Sequence, residues 1–299
     1  MIEAQNITKY FDTIKAIDQM SVQIQSGSVF GLVGTNGAGK STFLRILSGI
    51  LKPDCGQVLV DGQTIYENMG VKSRFFFISD DQYFFSNSTP KEMRNYYTKI
   101  YPKFDKVRFD HILKSFDLKA DRKINTFSKG MKKQLAIICA LAAKTDYIFC
   151  DETFDGLDPV MRQAVKSLFA AEIAERGLTP IIASHNLREL EDICDHVGLL
   201  HKGGVLLSRQ LDDMKLGVHK IQAVFPVPYN KEDFTGMEIV TLEHRGSLHT
   251  FVVRGEKDLI TTKIQEKNPI FLEVLPLTLE EIFISETEVV GYDIKKLIV

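Results

Sequence analysis

Residues 34–42 read Gly34-Thr35-Asn36-Gly37-Ala38-Gly39-Lys40-Ser41-Thr42 and fit the pattern G-x-x-x-x-G-K-[ST]. The apolar run 29–33 (VFGLV) stands before them and a helical pattern over 41–51 follows, so the segment reads strand, loop, helix. In that setting the glycines let successive backbone N–H groups converge on phosphate oxygens, and the start of the helix adds partial positive charge. Gly34, Asn36, Gly37, Ala38, Gly39 and Thr42 are therefore candidate phosphate-loop residues. Lys40 is the candidate cation for the β- and γ-phosphates of a nucleotide, and the Ser41 hydroxyl is a candidate Mg²⁺ ligand.

Two further apolar runs, 147–150 (YIFC) and 179–184 (TPIIAS), are each followed by a polar turn and a helix-like segment. They read as buried parallel strands of an α/β sheet, whose ligands sit at the carboxyl ends of the strands. Asp151 and Glu152 close the first run, which places two adjacent carboxylates at the tip of a buried strand. In a phosphate-loop sheet Asp151 is the candidate to hold Mg²⁺, and Glu152 the candidate to orient and polarise the attacking water.

Between the phosphate-loop segment and the 147–150 run, residues 89–143 show helical spacing in KEMRNYYTKIY, FDHILKSF and KKQLAIICALAA. Phe127-Ser128-Lys129-Gly130-Met131-Lys132-Lys133-Gln134 opens the last of these, with Ser128 at the N-cap position. The plainest reading is a capped helix with a solvated lysine face. Placed between the phosphate loop and Asp151-Glu152, the stretch resembles the signature of ABC ATPases, in an SKGMK form rather than the commoner SGGQ. The resemblance implies that Ser128, Gly130 and the helix start reach the γ-phosphate of ATP held by a second subunit. Asp155-Gly156-Leu157-Asp158-Pro159 resembles the D-loop at the dimer seam, and His185 resembles the switch histidine that contacts the γ-phosphate. Phe11 resembles the aromatic residue that stacks on adenine, with Tyr10 as the alternate.

The same resemblance implies a fold: a P-loop NTPase core of the ABC ATPase type with a mixed sheet, a helical subdomain at about 86–143 inserted in it, and a small α+β C-terminal domain. The boundary falls at 217/218, where the texture changes. Beyond it VFPVPY, MEIVTLEH, HTFVVRG and IFLEVLPL read as strands and DLITTKIQEK as a helix. Pro276-Leu277-Thr278-Leu279-Glu280-Glu281-Ile282-Phe283 resembles the close of the accessory domain in many bacterial exporter ATPases. Two positions depart from the family pattern. Asp80 stands where a glutamine is usual, with Gln82 two residues on, and a carboxylate there reaches Mg²⁺ through water. Thr153-Phe154 replaces the common Pro-Thr.

Composition agrees with a globular chain rather than a nucleic-acid binder. Its 299 residues carry a net charge of −2, with 44% hydrophobic and 25% charged content, so no basic field favours nucleic acid as a partner. Cys55, Cys139, Cys150 and Cys194 form no metal-ligand spacing and read as reduced thiols. The start MIEAQNITKYFD lacks the pattern of a secretory signal, and no apolar run approaches the roughly 18 residues that cross a bilayer. The expectation is an ATPase with ATP and Mg²⁺ as cofactors, acting as a homodimer or heterodimer. It would be cytoplasmic, peripheral on the inner face of the cell membrane through an integral permease, with export as the direction. Two alternatives stand beside it: a soluble ABC-type ATPase with a non-membrane partner, and a GTPase, for which Asn230-Lys231-Glu232-Asp233 fits N-K-x-D.

Overall fold

A computed structural model of the chain describes residues 1–282 except 192, 202, 211–216 and 228. The chain divides into two compact units, residues 1–208 and 209–299. The division falls within a strand that begins at Gly204, earlier than the change of texture at 218.

The first unit is built on a six-stranded sheet and a four-stranded sheet. In the larger one β6 (Phe75–Ile78), β7 (Tyr147–Asp151), β8 (Thr179–Ser184), β3 (Phe30–Gly34) and β9 (His196–His201) run parallel in that order, with β10 (Gly204–Gln210) at the edge. Every residue of β3, β7 and β8 is buried, as expected of strands covered on both faces. The smaller sheet, in the order β2-β1-β4-β5, pairs β1 (Ile2–Phe11), β2 (Ile14–Ile24), β4 (Cys55–Val60) and β5 (Gln63–Thr64) in antiparallel fashion.

Helix α1 (Lys40–Leu47) joins the two sheets into one core. Its Phe43, Leu44, Ile46 and Leu47 pack with Ile2, Ile17 and Val60 of one sheet and with Phe30, Phe149 and Ile181 of the other. Burying a side chain such as Phe43 contributes roughly 1.5–3 kcal/mol, so this core fixes α1, and with it the loop before it, firmly. The helix is shorter than the pattern over 41–51 suggests. Gly49 takes the left-handed conformation (φ +69°) and ends it, leaving Ile50 exposed.

The helical insertion leaves the sheet after β6 and returns at β7. Helix α3 (Pro90–Ile100) follows the short α2 (Met69–Lys72) and starts at a capping box of Thr89 and Glu92 with Pro90 in its first turn. Helix α4 (Lys106–Ser115) is capped by Asp105, and α5 (Lys129–Ala142) by Ser128. Past β7, α6 (Pro159–Arg176) has Asp158 as its cap and stops at Gly177, and α7 (Leu187–Glu191) follows β8.

The second unit is an antiparallel sheet in the order β12-β13-β11-β14, made of β11 (Val218–Val224), β12 (Glu238–Arg245), β13 (Leu248–Arg254) and β14 (Phe271–Leu275). Helix α8 (Lys257–Gln265) covers one face through Ile260 and Ile264, which pack with Ile221, Phe225, Phe251 and Val253. One strand differs from expectation: of VFPVPY only Val224 is in a strand, which runs over Val218–Val224, residues 225–227 do not continue it, and Pro228 lies outside the described residues. Pro226 lacks the N–H that a ladder needs, so pairing ends at Val224. Thr278 and Glu281 form a reciprocal cap at the following helix start, while Phe283 lies outside the described residues.

Candidate active site

Four neighbouring parallel strands deliver the candidate residues to one edge of the larger sheet. Val33 is level with Ser184, Ala183 with Asp151, and Cys150 with Ile78, so the chain leaves β3, β8, β7 and β6 at the same height. Gly34, His185, Glu152 and Asp80 follow from these strand ends. This is the carboxyl edge, where open α/β sheets hold their ligands.

The loop 34–39 is shaped by tight packing on its own sheet. Gly39 has φ +100°, and a Cβ there would lie 2.8 Å from the Ala16 carbonyl, so any side chain would force the loop off β2. Gly39 is also the N-cap of α1 and offers no capping side chain, and the first turn contains no acidic residue. The N–H groups at the head of α1 therefore have no side-chain acceptor, which suits an anion. Lys40 is buried beside them. Its Nζ donates to the carbonyl oxygens of Gly34 (2.7 Å) and Thr35 (3.3 Å) and stands 3.4 Å from Glu152 Oε1.

Asp151 is 2% exposed, and Ser41 Oγ donates to its Oδ1 at 2.9 Å. Burial pushes the Asp151 carboxyl above its ordinary range, the Ser41 hydroxyl opposes this, and the charges of Glu152 and Asp80 add to it. A hydroxyl and a desolvated carboxylate set side by side are hard oxygen donors. Together with phosphate oxygens they fit Mg²⁺, which takes one or two carboxylates plus substrate oxygens rather than a full protein cage. Among the described residues no cluster of three or more His, Cys, Asp and Glu side chains forms a metal cage.

Glu152 stands between two candidate partners: Oε1 faces Lys40, and Oε2 is 2.9 Å from His185 Nδ1. Its backbone is left-handed at φ +46°, a conformation that costs a non-glycine residue about 1 kcal/mol or more. Its N–H is held by the Ala183 carbonyl at 3.0 Å. A carboxylate flanked by an ammonium and an imidazole can accept a proton from water and be held in place while it does so.

The structure gathers Lys40, Ser41, Asp151, Glu152 and His185, and leaves three other candidates apart from that group. Among the described residues no hydrogen bond joins Ser128 or Gly130 to residues 34–42. Ser128 Oγ accepts from the Met131 N–H at 3.2 Å, and a Cβ on Gly130 would meet the Gly156 carbonyl at 3.2 Å, so this glycine packs beneath residues 155–159. Phe11 is 46% exposed at the end of β1 with the Lys9 ammonium 5.8 Å from its ring centre; Tyr10, also exposed, lies under Lys15. Both present a free face on which a flat ring can stack.

Asp80 is an ion-pair partner of Lys133, with Nζ 3.2 Å from Oδ1. The Gln82 amide turns back to donate to the Ser79 carbonyl at 2.6 Å. The lysine face read at 129–133 is not uniformly solvated: Lys129 is exposed, Lys132 partly buried, and Lys133 0% exposed. The signal was present in helical spacing, because Lys133, Ile137, Ala140 and Leu141 fall on one face, and the other three are core residues. Asn230 and Asp233 cap each other in the second unit, with the Asn230 N–H donating to Asp233 Oδ2 at 2.7 Å, and this local motif accounts for the N-K-x-D pattern.

Comparison with known proteins identifies the family. Residues 17–155 match the family described as ABC transporter. The ABC transporter ATP-binding protein YtrB of Bacillus subtilis is 31% identical over 286 residues, covering 96% of this chain and 98% of that one. The bacitracin transport ATP-binding protein BcrA of Bacillus licheniformis is 32% identical over 259 residues, covering 86% and 83%. The fold matches a dimeric ATP-binding cassette, MJ0796, solved in a post-hydrolysis state with ADP and Pi. The TM-score is 0.63 and the identity 23%, with 71% of this chain and 99% of that one covered. No described helix is long and apolar enough to cross a membrane. The chain belongs to the ABC transporter family, as an ATP-binding, ATP-hydrolysing subunit.

Proposed function

We propose that this subunit hydrolyses ATP with Mg²⁺ at the carboxyl edge of the larger sheet and, in a dimer, drives export through a separate membrane permease. The observation that carries the reading is Glu152 held between Lys40 and His185, next to the Ser41–Asp151 pair. In this reading Lys40 and the N–H groups of residues 34–42 bind the β- and γ-phosphates. Ser41 and Asp151 would hold Mg²⁺, with Asp80 as a further acidic group for it, and the ion would neutralise charge on the phosphates. Glu152 accepts the proton of the attacking water, and His185 holds the Glu152 carboxylate and contacts the γ-phosphate. Phe11 stacks on adenine. Ser128 and Gly130 close the site of the other subunit, in keeping with Ser128 bonding within α5 and Gly130 packing against Gly156 rather than either bonding to its own phosphate loop.

Support for two copies comes from the dimeric cassette with the same fold, and support for export from relatives named for bacitracin and multidrug transport. Residues 1–217 form the ATPase domain and residues 218–299 an accessory domain. The chain works on the inner face of the membrane, docked on its permease. Light scattering of Glu152→Gln protein with Mg²⁺-ATP should show the mass doubling; a persistent monomer at high concentration overturns self-association. Affinity purification from the native cell should recover an integral membrane protein, whereas recovery of ribosomes or DNA instead would establish the soluble alternative.

A further inference from the structure

Lys133 is a fully buried ammonium in α5 with two acceptors. Its Nζ donates to the backbone carbonyl of Glu152 at 2.5 Å and to Asp80 Oδ1 at 3.2 Å, and the Asp80 side chain is itself half exposed. A buried cation is costly unless paired, so its placement needs a compensating interaction, and these two acceptors supply it. The acceptors differ in kind. Asp80 supplies charge from the loop that leaves β6, while the Glu152 carbonyl belongs to a residue already in the left-handed region. Both backbone polar groups of Glu152 are thus held, the N–H by Ala183 and the C=O by Lys133. The peptide orientation at Glu152 sets where its carboxylate stands relative to Lys40 and His185.

We infer that Lys133 is a positioning residue for hydrolysis: it holds Glu152 in its left-handed conformation, with Asp80 as the counter-ion that keeps Lys133 in place. Three segments far apart in sequence, the 79–82 loop, α5 and the end of β7, meet at one ammonium. A displacement of the Asp80 loop is therefore felt at the backbone of Glu152 without any contact to nucleotide. The inference rests on the reading of Glu152 as the residue that orients water.

The test compares Lys133→Met, which keeps the length and apolar stem of lysine, with Lys133→Gln, which retains an N–H donor for the Glu152 carbonyl. Each is made alone and in a Glu152→Gln background, with ATP affinity and single-turnover hydrolysis measured separately. Lys133→Met should lower hydrolysis about tenfold or more, and Lys133→Gln about three- to fivefold, with ATP affinity unchanged within about twofold. Neither should lower hydrolysis further once Glu152 is glutamine, because both act through the same group. Should Lys133→Met not fold, the same split in Lys133→Gln decides. Wild-type hydrolysis in either single variant, or an equal fall in affinity and turnover, overturns the inference. Near wild-type hydrolysis in Glu152→Gln alone overturns the reading of Glu152 instead, so the two failures are distinct.

Discussion

Two buried carboxylates in the first unit are treated in opposite ways. Glu172 on α6 is 0% exposed and surrounded by cations: Arg108 of α4 at 3.2 Å, Lys144 at 3.1 Å and Arg176 at 2.5 Å. Burial alone would raise its carboxyl, but Arg176 and Lys144 hold it below the ordinary range. Asp151, nearly as buried, has the Ser41 hydroxyl as its donor and lies near two other carboxylates, and its carboxyl is raised. One site is saturated and ties the helical insertion to the core. The other is left short of positive charge, which is the condition for binding a cation.

The largest test of this contrast is at the under-compensated edge. Glu152→Gln keeps shape but removes the proposed base, so single-turnover hydrolysis should fall about 100-fold or more while ATP binding survives. Lys40→Ala removes the buried ammonium and should weaken binding as well as turnover. Titration of ATP and rapid-quench hydrolysis on both variants decide it; equal behaviour of the two would mean that binding and chemistry are not divided between these residues.

At the saturated site Glu172→Gln leaves three cations facing a neutral amide and should destabilise the fold by about 2 kcal/mol, read as a lower urea midpoint. The pH dependence has a definite sign. Because the folded carboxyl is depressed, its stabilisation is present above the unfolded value and is lost as pH falls through the folded one. The gap between wild type and Glu172→Gln should therefore shrink on acidification. Asp151→Asn should do the reverse to stability: it removes a poorly compensated buried charge, so the unfolding free energy should hold or rise by up to about 1 kcal/mol, read as an unchanged or higher urea midpoint, while Mg²⁺-dependent hydrolysis is lost. A large destabilisation in Asp151→Asn would erase the distinction between the two carboxylates.

The smallest effect concerns thiols, where burial is the largest influence and outweighs what opposes it. Cys150 is pushed up to about 12, and Cys139 and Cys194 are raised by burial as well, whereas Cys55 is exposed. Native protein should take up one alkylating label at Cys55 on the minute scale and the other three only in denaturant, as counted by intact mass.

What the sequence made legible was local. The loop 34–42, its flanking strand and helix, and the carboxylate pair at the end of β7 each lie within one short stretch, so pattern and chemistry are read together. The smaller antiparallel sheet was not legible. Its β1–β2 pairing is broken by register shifts, and Asn6 and Gln19 take left-handed backbone there, which interrupts the alternation that marks a strand. The ion pairs of Lys133 and Glu172 were hidden for a different reason. Asp80 lies 53 residues from Lys133, and Lys144 lies 28 from Glu172, so these partners, unlike Arg176 one helical turn from Glu172, are defined only by the fold.

The left-handed backbone of Glu152 has a consequence for evolvability. Glycine is the residue that occupies φ +46° without steric cost, so under the proposed role of Glu152 the side chain best suited to the backbone and the one needed for turnover differ at this position. Drift toward thermostability alone would favour Glu152→Gly, gaining back roughly the 1 kcal/mol of backbone strain at the expense of turnover.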